Sequence, residues 1–496
     1  MEAPHKCACC LTRRQCLKLL SATALSSGAL GKALAAPEPA ARLGAAEAVS
    51  ATALRPKPTV NLEAAVLQQP TPYWLGWPGT TYDLKGHQKE YLDKLKDSSK
   101  KLAITLNLAE KPIEDEAGMT ALLQRVKDRK PDALMVIIQH MNCWGWAERL
   151  AQEAGVPLLV FSPIGTSFTG HVAGISRRTG VYVASTLEWP AVEDGMRMVL
   201  AKRRFEDSRI LWIQGGARNE TVLDRLGTKV RAVPRDTFNQ EFDRTPVSRE
   251  VKDVAADLRR NAKKIVEPTL EDTENCARAY VTAKRLLAQE KSNALSMDCL
   301  GMVGAKLVPT PPCGAWTLLQ DQGITAGCEA DLFGATSLML TSYLLDRPGY
   351  MNDPVAETAK NLLIASHCTS GTRLDGFDKP RHPHILRNHS ESALGVSMQV
   401  LWPKDQPVTL VRFSSPNELI LDTGKVVSNV DTPPAGGCRT SVEIRMDQVE
   451  DARDVLGFHQ VVCLGDHQRV VEGFCQLYGI RAIHSPEHSP EPEVAA

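Results

Sequence analysis

Residues 132–161 read DALMVIIQHMNCWGWAERLAQEAGVPLLVF, and their pattern sets the fold class. Asp132 to Gln139 is a near-continuous run of aliphatic side chains, as in a strand buried on both faces. Trp144 to Ala154 is helix-like, and Pro157 to Phe161 is a second short buried run. Strand, helix and strand in that order form a βαβ unit, in which a crossover helix joins parallel strands and favours a layered α/β domain.

Working outward, a helix is expected over Ala191 to Lys202, and the strand Arg209 to Gln214 opens a second domain. Val247 to Gln289 reads as largely helical and Ala294 to Cys299 as a strand. Beyond Ile364 the pattern changes. Val408 to Phe413, Glu418 to Leu421, Lys425 to Val430 and Arg439 to Arg445 are short β-rich runs separated by Pro, Gly and Asn, the mark of an antiparallel or barrel-like unit. Asp466 to Tyr478 reads as a closing helix with an aspartate cap, ended by Gly479. The expected fold is α/β, with two layered, Rossmann-like α/β domains (60–180 and 181–348) followed by a β-rich, barrel-like C-terminal domain (349–484). A leader (1–36) and an Ala/Pro/Glu-rich spacer (37–59) precede them, and a Pro/Glu/Ser tail (485–496) follows.

The chain has 496 residues, with 58 Lys plus Arg against 58 Asp plus Glu. That balance points to no nucleic acid and no anionic membrane surface as partner, and with aromatics at 5% there is no base-stacking stripe. No run after the leader reaches the roughly 20 apolar residues of a membrane helix. In the leader, Arg13-Arg14 precedes an apolar stretch and a small-residue site at Ala33-Leu34-Ala35, the order of a twin-arginine export signal leading to the periplasm or another extracytoplasmic space. Four of the 13 cysteines (Cys7, Cys9, Cys10 and Cys16) would leave with it. The nine that remain form no CxxC pair and read as buried free thiols.

No GxGxxG opens a helix after a strand, and neither a phosphate-binding GxxxxGK[ST] loop nor a GxSxG elbow occurs. The chemistry-bearing stretch is Gly323 to Ser370, GITAGCEADLFGATSLMLTSYLLDRPGYMNDPVAETAKNLLIASHCTS. Ile324 to Cys328 reads as a strand, Ala330 to Leu345 as an apolar helix ended by Pro348-Gly349, and Asn361 to Ser366 as another strand. This places Glu329 at a strand-to-helix junction, Asp353 in the loop after the helix and His367 just past the next strand. Two carboxylates and an imidazole offer ligands suited to Mn²⁺ or Mg²⁺. The competing structural readings are dipole compensation for Glu329 and an ordinary Asp-Pro turn for Asp353.

Cys328-Glu329-Ala330-Asp331 and Tyr350-Met351-Asn352-Asp353 resemble motifs of the L-fucose/L-arabinose isomerase class. That class places a metal-binding Glu before an apolar helix, an acidic ligand after it and a distal His. The resemblance implies Glu329 and Asp353 as metal ligands and proton shuttles, and His459 in Gly457-Phe458-His459-Gln460 as the third ligand, with His467 as runner-up. His367 is similar to a further histidine ligand of arabinose isomerases. Gly436-Gly437-Cys438-Arg439-Thr440 is similar to a run in fucose-isomerase-like proteins of an exported branch. The implied activity is aldose–ketose isomerisation of a monosaccharide through an enediol, with Mn²⁺ as the first choice of metal, Mg²⁺ as the second, and a homo-oligomer, a hexamer by resemblance.

Other candidates have plain alternatives. His382, His384 and His389 lie in a Pro/Arg-rich loop, where His389, Ser390 and Glu391 could meet sugar hydroxyls. Asp298 is either a supporting carboxylate or a helix cap. Trp74 and Trp77 could stack on a sugar or serve packing, and Gly165, Thr166 and Ser167 form a polar cradle or a plain turn. The rival functions are an exported, non-catalytic carbohydrate-binding protein and a metal-dependent sugar epimerase or lyase. Metal content separates the first of these from an enzyme.

Overall fold

The computed structural model of the protein describes residues 48–71, 75–308, 310–432 and 436–486. The twin-arginine leader and Trp74 lie outside the described residues. The first sheet comprises β1 (Asn61–Leu67), β2 (Thr105–Leu108), β3 (Ala133–Ile138), β4 (Leu158–Ser162) and β5 (Val181–Ser185), all parallel in the order β2-β1-β3-β4-β5. Every residue of β3 is buried, as its unbroken aliphatic run requires. β5 lies just past the expected boundary at 180 yet pairs with β4, so the first sheet extends to Ser185.

The second sheet begins with β6 (Arg209–Ile213), β7 (Asn219–Val222) and β8 (Lys229–Val233). After the helix Arg249–Asn261 the chain sends β9 (Lys264–Ile265) to a small separate sheet, and then returns through the helix Leu270–Gln289 to β10 (Ala294–Met297) and β11 (Thr325–Gly327). The order is β11-β10-β6-β8-β7, parallel apart from the edge strand β7.

The last unit contains β12 (Tyr350–Glu357), β13 (Leu362–His367), the hairpin β14 (His384–Arg387) and β15 (Ser397–Val400) that joins β9, and then β16 (Pro407–Ser415), β17 (Glu418–Asn429), β18 (Thr440–Met446) and β19 (Gln460–Leu464). The order β16-β19-β12-β13-β18-β17, with β16 also paired to β17, closes a six-stranded antiparallel barrel. β20 (Arg481–Ile483) adds to β17 in parallel. The fold is therefore two parallel-sheet α/β layers followed by a β-barrel. The two runs expected at Glu418 and Lys425 are a single long strand, because Gly424 passes within the ladder beside Arg445 rather than breaking it.

Two terminal expectations change. Within the expected spacer, Ala51–Leu54 is a short helix with Ala51 buried, and Lys284 Nζ donates to Val49 O at 2.7 Å. Packing thus starts before Val60. At the other end Ser485 is buried and donates to both oxygens of Asp422, so order runs past 484.

The helix Leu332–Leu345 is buried at nearly every position, as an all-round apolar helix must be. It sits between the helix Trp189–Glu206, the second sheet and barrel strands β16 and β19. Phe205 marks the junction, with ring contacts to Tyr343, Phe413 and Phe474 at 5.4, 6.5 and 6.1 Å. Phe205→Ala is expected to cost about 3–5 kcal/mol and to lower the thermal unfolding midpoint. A midpoint unchanged by scanning calorimetry would show that the three units are not held through this contact.

Candidate metal centre

Glu329 leaves the carboxyl end of β11, at the edge of a parallel sheet where ligands usually bind. The turn is moored to neighbouring strand ends. Ala330 N donates to Met297 O at 2.9 Å, Trp212 Nε1 donates to Ala330 O at 2.7 Å, and Glu329 N donates to Cys299 Sγ at 3.3 Å. Glu329 and Ala330 have φ of 56° and 53°, a left-handed conformation that costs a non-glycine residue roughly 1–2 kcal/mol. These hydrogen bonds hold the strained turn.

The barrel supplies the other groups. Asp353 lies within β12 opposite Ser366, His367 ends β13, and His459 directly precedes β19 with φ of 55°. Because β12 pairs with both β13 and β19, residues far apart in sequence meet at one end of the barrel. His367 Nε2 is 3.8 Å from Glu329 Oε1, and His459 Nε2 is 3.9 Å from Glu329 Oε2 and 3.2 Å from Asp353 Oδ1. One donor atom from each of Glu329, His367 and His459 lies within 4.8 Å of the others. Metal bonds of about 2.0–2.2 Å leave donors at nearly this separation around a single ion, so the group could hold a metal ion.

Both rings are held by their other nitrogen. Asp331 Oδ2 is 2.9 Å from His459 Nδ1 and accepts from Arg412 Nη1 at 2.7 Å, while Thr369 Oγ1 is 3.2 Å from His367 Nδ1. His459 Nε2 is buried and faces Asp353 Oδ1 at 3.2 Å. A buried imidazole nitrogen aimed at carboxylates, with its partner nitrogen tied to a further carboxylate, is how proteins present a metal ligand.

Electrostatics keep the cluster charged. Burial pushes the Glu329 carboxyl up, but the contact with His367 and the charges of His459 and His367 outweigh it and hold Glu329 below the usual range. Burial disfavours protonated His459, yet the contacts with Asp331 and Asp353 push it up to about 9. His367 is raised on the same balance, burial opposing and the Glu329 contact prevailing. For Asp331, burial is overcome by Arg412 and His459, which hold it well below the usual carboxylate range. In front of these groups a pocket is walled by Leu300, Val303, Pro311 and Pro312, with His389 and Glu391 on a polar side.

The structure thus brings Glu329, Asp353 and His459 together and adds His367. Asp353 is in a strand rather than the expected loop, because Pro348-Gly349 reverses the chain straight into β12. His467 is elsewhere, with Nε2 3.0 Å from Leu464 O. His382 contacts Asp375 at 2.8 Å, and His384 contacts His382 O at 3.0 Å, so of the three histidines in that loop His389 alone lines the pocket. Asp298 caps the helix Cys299–Gly304 through Gly301 N at 3.2 Å. Trp77 is exposed with its ring edge on Phe168, and Thr166 bonds Ser162 within the first domain. The sequence reading left Asp331 and Arg412 without a role. The available signal for Asp331 was an aspartate directly before an apolar helix and two residues after Glu329.

No family model matches the chain. A sulfoquinovose isomerase from Clostridium sp. (strain MSTE9) is 35% identical over 60 residues, which is 12% of this chain and 13% of that protein. The chain therefore matches a small fraction of that relative, and over that stretch it is similar to a sugar isomerase. An ABC transporter solute-binding protein from Burkholderia multivorans aligns with 50% of this chain and 85% of its own at 11% identity, with a TM-score of 0.17, a likeness too slight to inform the fold.

Asp331→Asn removes the charge that orients His459 while keeping a helix-capping oxygen. It is expected to weaken divalent-ion binding about 10–100-fold with unchanged helix content by circular dichroism. Equal affinity in a Mn²⁺ titration would rule out Asp331 as the group that positions His459.

Proposed function

We propose that this chain is a metal-dependent aldose–ketose isomerase of the L-fucose/L-arabinose isomerase kind, acting on a monosaccharide through an enediol. The observation that carries this reading is the convergence of Glu329, His367 and His459, whose donor atoms lie within 4.8 Å of one another, with Asp353 Oδ1 3.2 Å from His459 Nε2. The short similarity to a sugar isomerase supports it. Two carboxylates and two imidazoles fit a divalent ion of the Mn²⁺ or Mg²⁺ type better than a thiolate-seeking one. Bound there, such an ion would supply Lewis-acid polarisation of neighbouring sugar oxygens.

The chain's own residues perform the proton chemistry. Glu329 can accept a proton from a sugar carbon, and Asp353 can serve the adjacent carbon. Both carboxylates approach the same nitrogen, His459 Nε2, at 3.9 and 3.2 Å, which supports their acting on one bound substrate. The wall of Leu300, Val303, Pro311 and Pro312 limits water on one side, while His389 and Glu391 offer partners to hydroxyls. A homo-oligomer, and export directed by Arg13-Arg14, belong to the same proposal.

Purified protein is expected to retain about one Mn²⁺-class ion per chain. Glu329→Gln, nearly isosteric and uncharged, should lose most of the ion by elemental analysis and all aldose–ketose exchange. Retained metal together with full exchange would remove Glu329 from both roles. With the ketose as substrate, tritium from solvent appearing at C2 of the aldose product identifies proton transfer, and its absence with turnover intact identifies a hydride shift.

For export, a reporter fused behind residues 1–36 should stay in the cytoplasm when Arg13 and Arg14 are both changed to Lys. Unchanged export in cell fractions would refute the twin-arginine reading.

A further inference from the structure

Five of the nine described cysteines, Cys299, Cys313, Cys328, Cys368 and Cys438, line the pocket of the candidate metal centre, and none of the nine is in a disulfide. Two adjoin metal-ligand candidates in sequence: Cys328 precedes Glu329, and Cys368 follows His367. Cys368 and Cys438 also meet in space. β13 and β18 are paired up to His367 opposite Thr440, which carries the next residue of one strand alongside the run that leads into the other. Ser390 Oγ lies 4.0 Å from both Cys368 Sγ and Cys438 Sγ, so the two thiols face one hydroxyl.

Their settings differ in a useful way. Cys368 is buried, whereas Cys438 is the single described cysteine that is partly exposed. It follows Gly436 and Gly437, both exposed and at φ of 82° and 81°, backbone that can adjust to the narrow geometry of an S–S bond. Core packing accounts for a buried thiol. It does not account for a partly exposed thiol that shares a hydroxyl neighbour with a buried one at the wall of a charged pocket.

We propose that Cys368 and Cys438 form a reversible disulfide site whose co-reactant is a low-molecular-weight disulfide. Cys438 loses its proton and attacks one sulfur of the small disulfide, forming a mixed disulfide and releasing one small thiolate, which takes up that proton. Cys368 then loses its proton and attacks the Cys438 sulfur, closing the protein disulfide and releasing the second small molecule as a thiol. Two protein thiols are oxidised by two electrons, and one small disulfide is reduced to two thiols. The bond ties the Gly436-Gly437 segment down beside His367 and shifts that ring from its place opposite Glu329. This second consequence rests on the metal reading of the site, whereas the crosslink does not.

The test uses the full-length protein, treated with oxidised glutathione and then with dithiothreitol. Peptide mapping under non-reducing conditions should join Cys368 to Cys438, with two titratable thiols lost per chain and recovered on reduction. Cys438→Ser should lose the joined peptide, and if that variant fails to fold, the mapping of the unmodified chain decides alone. No crosslink, or one joining Cys368 to Cys313 instead, overturns the proposal. In the crosslinked protein Mn²⁺ affinity is expected to fall at least several-fold and to return with dithiothreitol. A mapped Cys368–Cys438 bond with unchanged affinity, in a protein that binds Mn²⁺, overturns the coupling to His367. Absence of Mn²⁺ binding in the reduced protein counts against the metal reading and leaves the mapped crosslink standing.

Discussion

A single carboxylate, Asp331, ties the molecule's parts to one another. Its Oδ1 accepts from Gly334 N at 2.8 Å and caps the central helix, while its Oδ2 meets Arg412 of β16 and the His459 ring beside β19. Helix start, sheet edge and barrel therefore share one group. A buried carboxylate is costly unless its acceptor sites are filled, and here a backbone amide, a guanidinium and an imidazole fill them. Gly334 permits the approach, since a Cβ there would stand 3.0 Å from Arg412 Nη1 and 3.1 Å from Asp331 Cγ.

Around that anchor the site is assembled from unfavourable local choices. Glu329, Ala330 and His459 all adopt left-handed backbone without being glycine. Strain of this kind persists where surrounding structure over-determines it, and it gathers at functional sites. On one side the determinants are the hydrogen bonds from Ala330 to Met297 and from Trp212 to Ala330. On the other, Asn352 Nδ2 donates to Gln460 O at 2.8 Å and fastens β12 to the strand that follows His459. The two parallel sheets and the barrel thus serve as rigid supports for three short turns.

The fold was legible wherever burial imposes a period. The aliphatic run of β3, the crossover helix after it and the all-apolar central helix could be read directly, and so could the change to short β runs that become the barrel. The strand order that closes the barrel could not be read. It depends on β16 pairing with both β19 and β17, and strand order is set by non-local contacts that leave no local pattern. For the same reason the expected boundary at 180 fell just before β5: Val181 to Ser185 mixes buried and half-buried residues, as the edge strand of a layer does. Asp353 was expected in a loop because Asp-Pro is a turn signal. In the structure Pro354 faces Ala365 in the ladder of β12 and β13.

The site was legible as a set of residue types and only in part as a geometry. Glu329 and Asp353 flank a helix of 14 residues, and local reasoning could place them together only by requiring the chain to run back along that helix. It does so: a Cβ on Gly349 would touch Thr341 and Leu338, and Met351 Cε approaches Gly334, one helical turn after another toward the N-terminus. The tight reversal at Gly349, where a Cβ would also collide with Val461, fixes the register in which Asp353 arrives. His459 could be named from resemblance alone, since nothing in Gly457-Phe458-His459-Gln460 signals a ligand by itself. Asp331 and Arg412 were hidden because a residue that orients another carries no motif of its own; it shows once the imidazole it holds has a place in space. The thiols were hidden for the converse reason. Buried cysteine is the ordinary expectation, and what departs from it here is the gathering of five of them on one wall, a fact of topology that chain order does not contain.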